Sequence, residues 1–293
     1  MNDAKTLLTG LLEYAAQHGA DLHICPKSAP FVRLGGVNGE IKSTPCTSDS
    51  PLDVADVKAL VGELLTPEQK GELQKTKFID FSFTYGKLGR FRACVYFQRG
   101  TQAINIHPLP FEVPDIHKLG LPDAVVNSIQ EIIMYPVGLV VVAGDYFSHK
   151  SIILAALVDL ANQKRECHIS TIENPIEYLH RHKTAMVVQK EIGTDVPDFG
   201  TALRQIRFEN PDVVMLSELW DALTAIELSQ ERLVLSSLKL GVRQNSVDNI
   251  LKTLGDIVAN NARRDNKTLI YAEKPKITVI YQQAEETIVH NNF

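Results

Sequence analysis

The sequence predicts an α/β chain: a small α+β unit first, then a larger unit with a mostly parallel sheet. Three observations carry this. Residues 21–107 hold short runs of alternating apolar and polar residues, which read as strands. Residues 138–238 instead alternate apolar runs with stretches of helical spacing, the pattern of strand–helix–strand units. Between the two, Pro108, Pro110 and Pro114 mark a linker.

In order, Leu7, Leu8, Leu11, Leu12 and Ala15 share one side of a helix over residues 5–18, with Gly19 as its stop. Strands are expected at 21–24 and 31–34, with Gly35 and Gly36 as a turn. Residues 43–52 read as a loop and 52–74 as one helix. Three further strands follow at 78–85, 89–97 and 103–107. In the second half, strands are expected near 138–143, 167–172, 186–189, 212–216 and 233–238. Helices are expected near 150–163, 197–207, 220–229 and 245–260, and strands again within 268–289. The domain division is 1–110, a linker at 111–118, and 119–293.

Composition excludes several function classes. The chain has 293 residues, 44% hydrophobic and 22% charged, with a net charge of -5. That is ordinary for a globular chain and lacks the basic excess that nucleic acid or an anionic membrane would select. No nucleic-acid partner is expected, and local pairs such as Arg263–Arg264 read as solvated faces. The four cysteines (Cys25, Cys46, Cys94, Cys167) form no C-x-x-C pair and suggest neither metal nor disulfide framework. No signal peptide or long apolar span is present, so a cytoplasmic location is expected.

The most informative segment is Gly144-Asp-Tyr-Phe-Ser-His-Lys-Ser151. It follows an apolar strand and opens a helix, as a phosphate-binding loop G-x-x-x-x-G-K-[ST] does. Gly144, Lys150 and Ser151 fit, but His149 stands where the second glycine belongs. Such a loop binds phosphate through consecutive backbone N–H groups at a helix N-terminus. A side chain at a left-handed position costs roughly 1–2 kcal/mol. Asp145 adds a like charge, worth about 3 kcal/mol of repulsion per unit phosphate charge at ~6 Å and an effective dielectric of ~20. Lys150 retains the means to contact phosphate, and Ser151 to ligate Mg²⁺. The bland alternative is a plain strand–turn–helix with a chance Lys-Ser.

Two acids end apolar runs downstream. Glu218 closes Asn210-Pro-Asp-Val-Val-Met-Leu-Ser-Glu218, a strand expected beside the loop strand with its acid aimed at Mg²⁺ or water. Glu173 lies in Thr171-Ile-Glu-Asn-Pro-Ile-Glu-Tyr178 and has the chemistry to hold a water or metal. The structural alternatives are a helix-capping Glu218 and an exposed loop Glu173.

These segments together resemble the type IV pilus retraction ATPase family, within the type II/IV secretion ATPase superfamily. The likeness runs from about residue 5 to 255. It includes Gly19-Ala-Asp-Leu-His-Ile24, Gly89-Arg-Phe-Arg-Ala-Cys-Val-Tyr-Phe-Gln-Arg-Gly100, His168 to Tyr178, Val188 to Gly193, Ala202-Leu-Arg204 and Pro211 to Asp221. It implies a PAS-like N-terminal domain, a RecA-like P-loop domain and self-association as a hexameric ring. It also implies ATP and Mg²⁺ as cofactors. The partners implied are paralogous pilus ATPases and a pilus platform protein, which would place the chain at the inner membrane. Carried over residue by residue, Gly144, Ser148, His149, Lys150 and Ser151 occupy the nucleotide loop, with Ser151 at the metal. Glu218 and Glu173 take the catalytic positions, and Arg90, Arg92 and Arg99 match arginines that reach phosphates.

The departures are specific. The family loop reads Gly-Pro-Thr-Gly-Ser-Gly-Lys-Ser/Thr, against Asp145, Phe147 and His149 here. An Ile-Glu-Asp-Pro box becomes Ile172-Glu-Asn-Pro175. Trp220 replaces an arginine after the Walker B acid, Arg232 and Lys239 replace two histidines, and His107 replaces a further arginine. The residues after 260 do not match. The reading is a degenerate pilus ATPase paralogue, a non-catalytic or weakly nucleotide-binding subunit. One alternative is an active motor using Lys150, Ser151, Glu173 and Glu218. Another is an adaptor whose cleft is lined by Tyr146, His149 and Lys239.

Overall fold

The structure is a computed structural model that describes residues 2–34, 39–44, 46, 50–144, 150–239, 277–283 and 286–292. It divides into two compact units, Met1–Phe111 and Glu112–Phe293.

The first unit comprises α1 (Asn2–His18), β1 (Asp21–Ile24), β2 (Phe31–Arg33), β3 (Ile41–Ser43), α2 (Val54–Leu64), α3 (Pro67–Thr76), β4 (Phe78–Tyr85), β5 (Gly89–Gln98) and β6 (Thr101–Leu109). The strands form one sheet in the order β3-β2-β1-β6-β5-β4, antiparallel throughout. Alternate residues face the helices: Leu22, Ile24, Phe81, Phe91, Ala93, Val95, Ile104 and Ile106 pack with Leu8, Leu11, Leu12, Leu60 and Leu73. The intervening positions, among them Asp21, His23, Asp80, Arg90, Arg92 and Asn105, lie on the opposite face.

Three expectations are corrected here. The helix over 52–74 is two helices. Leu65 leaves the helical conformation, and Thr66 caps α3 by a reciprocal pair with Gln69, with Pro67 in its first turn. That Thr-Pro-x-Gln signature was present in the sequence. The loop from residue 43 is preceded by β3, three exposed residues with no alternation to betray them. Pro108 is not linker but strand. It pairs with Phe91 beyond the end of the β1 ladder, where its missing N–H leaves no bond unmade. The expected Gly35–Gly36 turn lies outside the described residues.

The second unit begins with a 3-10 turn (Ile116–Lys118) and α4 (Asp123–Ile132). Then come β7 (Gly138–Gly144), α5 (Lys150–Lys164), β8 (His168–Glu173), β9 (Met186–Glu191), α6 (Phe199–Glu209), β10 (Val213–Leu216), α7 (Ala222–Leu228), β11 (Leu233–Lys239), β12 (Ile277–Gln283) and β13 (Glu286–Asn292). The sheet order is β13-β12-β7-β11-β10-β8-β9. Every neighbouring pair is parallel except β12–β13. Parallel sheets are covered on both faces, and this one has two cores. Val140, Val142, Met215 and Leu235 face α4 and α5, while Val141, Ala143, Val214 and Leu216 face α6 and α7. All seven residues of β7 are buried, as are ten consecutive residues of α5 (Ile153–Asn162), so the loop strand and its helix form the centre.

The strands and helices expected between residues 138 and 238 fall within two residues of expectation. α4 was missed, although Val125, Val126, Ile129 and Ile132 carry its period. The helix expected at 245–260 lies outside the described residues, as do residues 268–276 of the stretch expected to hold strands.

Candidate functional site

Parallel strands all end on one edge, and Gly144, Glu173, Glu218 and Lys239 lie at or just beyond strand ends there. Gly144 ends β7 and is level with Lys239, which ends β11, and with Gln282 of β12. Lys150 opens α5 with Ser151 exposed in its first turn, so the first-turn N–H groups lie at the helix end nearest β7. Asp145, Tyr146, Phe147, Ser148 and His149 lie outside the described residues. Lys150 and Lys239 both have interaction partners.

Glu173 ends β8. The next strand, β10, ends level with it: the Ser217 N–H donates to the Ile172 carbonyl at 3.0 Å, and Glu218 follows. One expectation fails here. The strand carrying Glu218 is not beside the loop strand, because β11 lies between β7 and β10. Pairing order in a parallel sheet is set by non-local contacts that no local pattern encodes.

The two acids differ sharply. Glu218 is exposed, and it does not cap a helix: Asp221 caps α7 instead, accepting from the Thr224 N–H and hydroxyl. Glu173 is 5% exposed, so the exposed-loop alternative does not hold. Its Oε1 accepts from Thr171 Oγ1 at 2.6 Å and Gln189 Nε2 at 2.9 Å. Burial pushes its carboxyl up to about 7. The Thr171 and Gln189 bonds oppose that shift, and Glu177 and Glu191 add to it.

The segment 174–185 passes over this end of β8. The Gln189 amide ties it down, donating to the Tyr178 carbonyl at 2.8 Å and accepting from the His180 N–H at 2.8 Å. The far end is tied to α5. Asn162 donates to the Arg181 carbonyl and accepts from the Lys183 N–H, and Lys183 Nζ meets Asp159 at 2.7 Å. Burial drives His180 down to about 4, with Asp159 opposing and Lys183 adding to the shift. Sequence reasoning missed Gln189, Asp159, Asn162 and His180; single polar residues facing inward give no periodic signal.

Two departures from the family pattern have structural consequences. Trp220 packs edge-on against Phe199 at the start of α6, ring centres 5.0 Å apart. An apolar strut thus occupies a position where the family carries a charge. Lys239, which ends β11, and Arg232, which immediately precedes that strand, replace two histidines of one motif and lie about 23 Å apart at ~3.3 Å per residue. Arg232 is buried at the far end, where its Nη2 meets Glu231 and its Nε and Nη1 have no hydrogen-bond partner among the described residues.

The matched arginines belong to the first unit. Arg92 makes a two-pronged pair with Asp80 at 3.0 and 2.6 Å. Arg90 donates to Ser82 and Thr84, and Arg99 is exposed with a left-handed backbone at φ 47°. His107 contacts Asp21.

A profile of the family "T2SSE: Type II/IV secretion system protein" matches residues 104–238. The type IV pilus retraction ATPase PilT of Pseudomonas aeruginosa is 32% identical over 252 residues, covering 83% of this chain and 70% of PilT. The chain belongs to the type II/IV secretion ATPase family. It is PilT-like within that family. The uncharacterized protein YggR of Escherichia coli is 32% identical over 75% of this chain and 64% of its own length. The type IV pilus ATPase PilU of Pseudomonas aeruginosa is 29% identical, and the chain spans half of it. The fold agrees: a crystal structure of the pilus retraction motor PilT with bound ADP superposes with a TM-score of 0.77 at 30% identity, over 96% of this chain and 81% of that one. The Legionella pneumophila ATPase DotB superposes at 0.72 with 20% identity, a likeness of fold alone. This is the mixed α/β fold of the family, an antiparallel N-terminal sheet followed by a mostly parallel one.

The family implies ATP and Mg²⁺. The described part of the loop region is its helix, which Lys150 opens with Ser151 exposed in the first turn, donor chemistry that suits a phosphate. Among the described residues, no three His, Cys, Asp or Glu side chains cluster to hold a metal.

Proposed function

We propose that this chain is a degenerate secretion/pilus ATPase paralogue, a non-catalytic or weakly nucleotide-binding subunit or regulator of a type IV pilus motor. The observation that supports it is the loop sequence on a preserved scaffold. β7 and α5 keep the buried strand and helix of a phosphate loop, while the sequence of residues 145–149 carries one carboxylate and three rings. ATP with Mg²⁺ would supply the transferable phosphoryl group. Lys150 and the α5 N-terminus would hold its phosphates, and Ser151 its metal. Phosphoryl transfer depends on positioning and charge, and each 1.4 kcal/mol lost is about tenfold in rate. The Asp145 repulsion alone, about 3 kcal/mol, is therefore worth roughly two orders of magnitude.

By the same family likeness, the chain self-associates, in a hexameric ring, with paralogous pilus ATPases and a platform protein as partners. Its place is cytoplasmic, peripheral at the inner membrane. Among the described residues no helix is long and apolar enough to cross a membrane.

The second reading is an active motor. Lys150, Ser151, Glu173 and Glu218 are all retained, and the sheet brings their elements to one edge. A Mg²⁺-dependent ATP hydrolysis assay separates the two. The expected result is no turnover above that of Lys150→Ala. Turnover that disappears in Glu218→Gln would overturn the proposal.

A further inference from the structure

Gln189 occupies the ladder position level with Thr171, on the strand next to Glu173. Its carboxamide has two N–H donors and one acceptor oxygen, and all three functions are engaged. One N–H bond goes to Glu173 Oε1 at 2.9 Å and another to the Tyr178 carbonyl at 2.8 Å, while the oxygen accepts from the His180 N–H at 2.8 Å. A single side chain therefore joins the acid at the strand end to two points of the segment passing over it. Thr171 contributes differently: its hydroxyl meets the same Glu173 oxygen at 2.6 Å but holds no part of the overlying segment.

We propose that Gln189 is the positioning residue of this edge: its carboxamide fixes the Glu173 carboxyl and the 178–180 segment above it as one unit. The inference deepens the reading of this edge as the nucleotide edge and rests on it, because a positioned Glu173 matters only where a phosphate or its water is to be met. No other uncharged side chain of similar length offers two donors and an acceptor. Glutamate would lose both donors and add a charge beside Glu173, Glu177 and Glu191. Asparagine is shorter by one methylene and would have to give up at least one of the bonds. A residue that only filled space would hold the segment without touching the acid's protonation.

The test uses the full chain without nucleotide, so its outcome is independent of whether the chain binds or hydrolyses ATP. The Glu173 carboxyl is followed by carbon-13 NMR through a pH titration, its signal identified by its loss in Glu173→Gln. Hydrogen exchange is measured at the His180 amide. Thr171→Val is expected to raise the Glu173 midpoint by about one pH unit, since a bond to the charged form is lost, with His180 exchange unchanged. Gln189→Met is expected to raise the midpoint similarly and also to speed His180 exchange at least tenfold. Gln189→Asn, the milder change, should move both readouts the same way and serves if the methionine variant fails to fold. Faster exchange with an unmoved midpoint reduces Gln189 to a structural tie and overturns the proposal. A moved midpoint with unchanged exchange, or no change in either, overturns it equally.

Discussion

Glu173 and Glu218 end neighbouring strands on the same edge of one sheet, yet their surroundings are opposite. Glu173 is 5% exposed, bonded twice at one oxygen and roofed by a segment tied at both ends. Glu218 stands exposed two residues beyond β10. Strand position alone does not decide what an acid does; what crosses over it does. β8 is followed by a segment that folds back toward β9 and α5, whereas β10 is followed by a short turn closed by Ser237 and Trp220.

The largest expected effect exploits this contrast through pH. Burial raises Glu173 to about 7 from the 4.5 of a free carboxyl. Between those values the folded chain holds the extra proton, so stability falls as pH rises and the full loss is present above pH 7, about 3 kcal/mol in all. His180 in the overlying segment works the other way. Its value drops to about 4 from 6.5, so its contribution is complete above pH 6.5 and disappears as pH falls through 4, again by about 3 kcal/mol. The two slopes offset each other between pH 4.5 and 6.5, and the native chain should be nearly flat there. Glu173→Gln should leave a stability that rises with pH over that window, and His180→Leu one that falls. Urea unfolding followed by Trp220 fluorescence measures this, since the one tryptophan reports the second unit. Parallel profiles for the two variants would break the comparison.

A smaller effect is expected from the far tie of the segment. Asp159→Ala removes the partner of Lys183, whose side chain is 42% exposed and escapes to water, so the loss should be about 1 kcal/mol. Hydrogen exchange should quicken at the Thr184 and Ala185 amides, which donate to the Asn162 carbonyl of α5. Smallest of all, Glu218→Gln should leave the unfolding midpoint unchanged by the same fluorescence measurement. A shift as large as that of Glu173→Gln would erase the distinction between the two acids.

Much of the fold was legible because burial imposes a period. The continuous apolar run of β7, the alternation of β5 and the spacing of α1 each follow from what the element packs against. What escaped was either local punctuation left unread, as with Thr66-Pro67, or information held far away in sequence. β11 comes to lie between β7 and β10 only through pairing, and Glu173 is hydrogen-bonded by Gln189, sixteen residues downstream on another strand. The sequence pattern put Glu173 and Glu218 at strand ends, where the structure has them, but not their environments, because burial of an acid depends on partners that its own neighbours do not announce.

The account rests most heavily on the claim that the altered loop has lost productive nucleotide binding. Calorimetric titration of the full chain with ATP and Mg²⁺, beside Lys150→Ala, addresses it directly. The expected result is no saturable heat up to millimolar nucleotide, with the two proteins indistinguishable. Saturable binding at micromolar nucleotide that vanishes in Lys150→Ala would contradict it and favour the active motor.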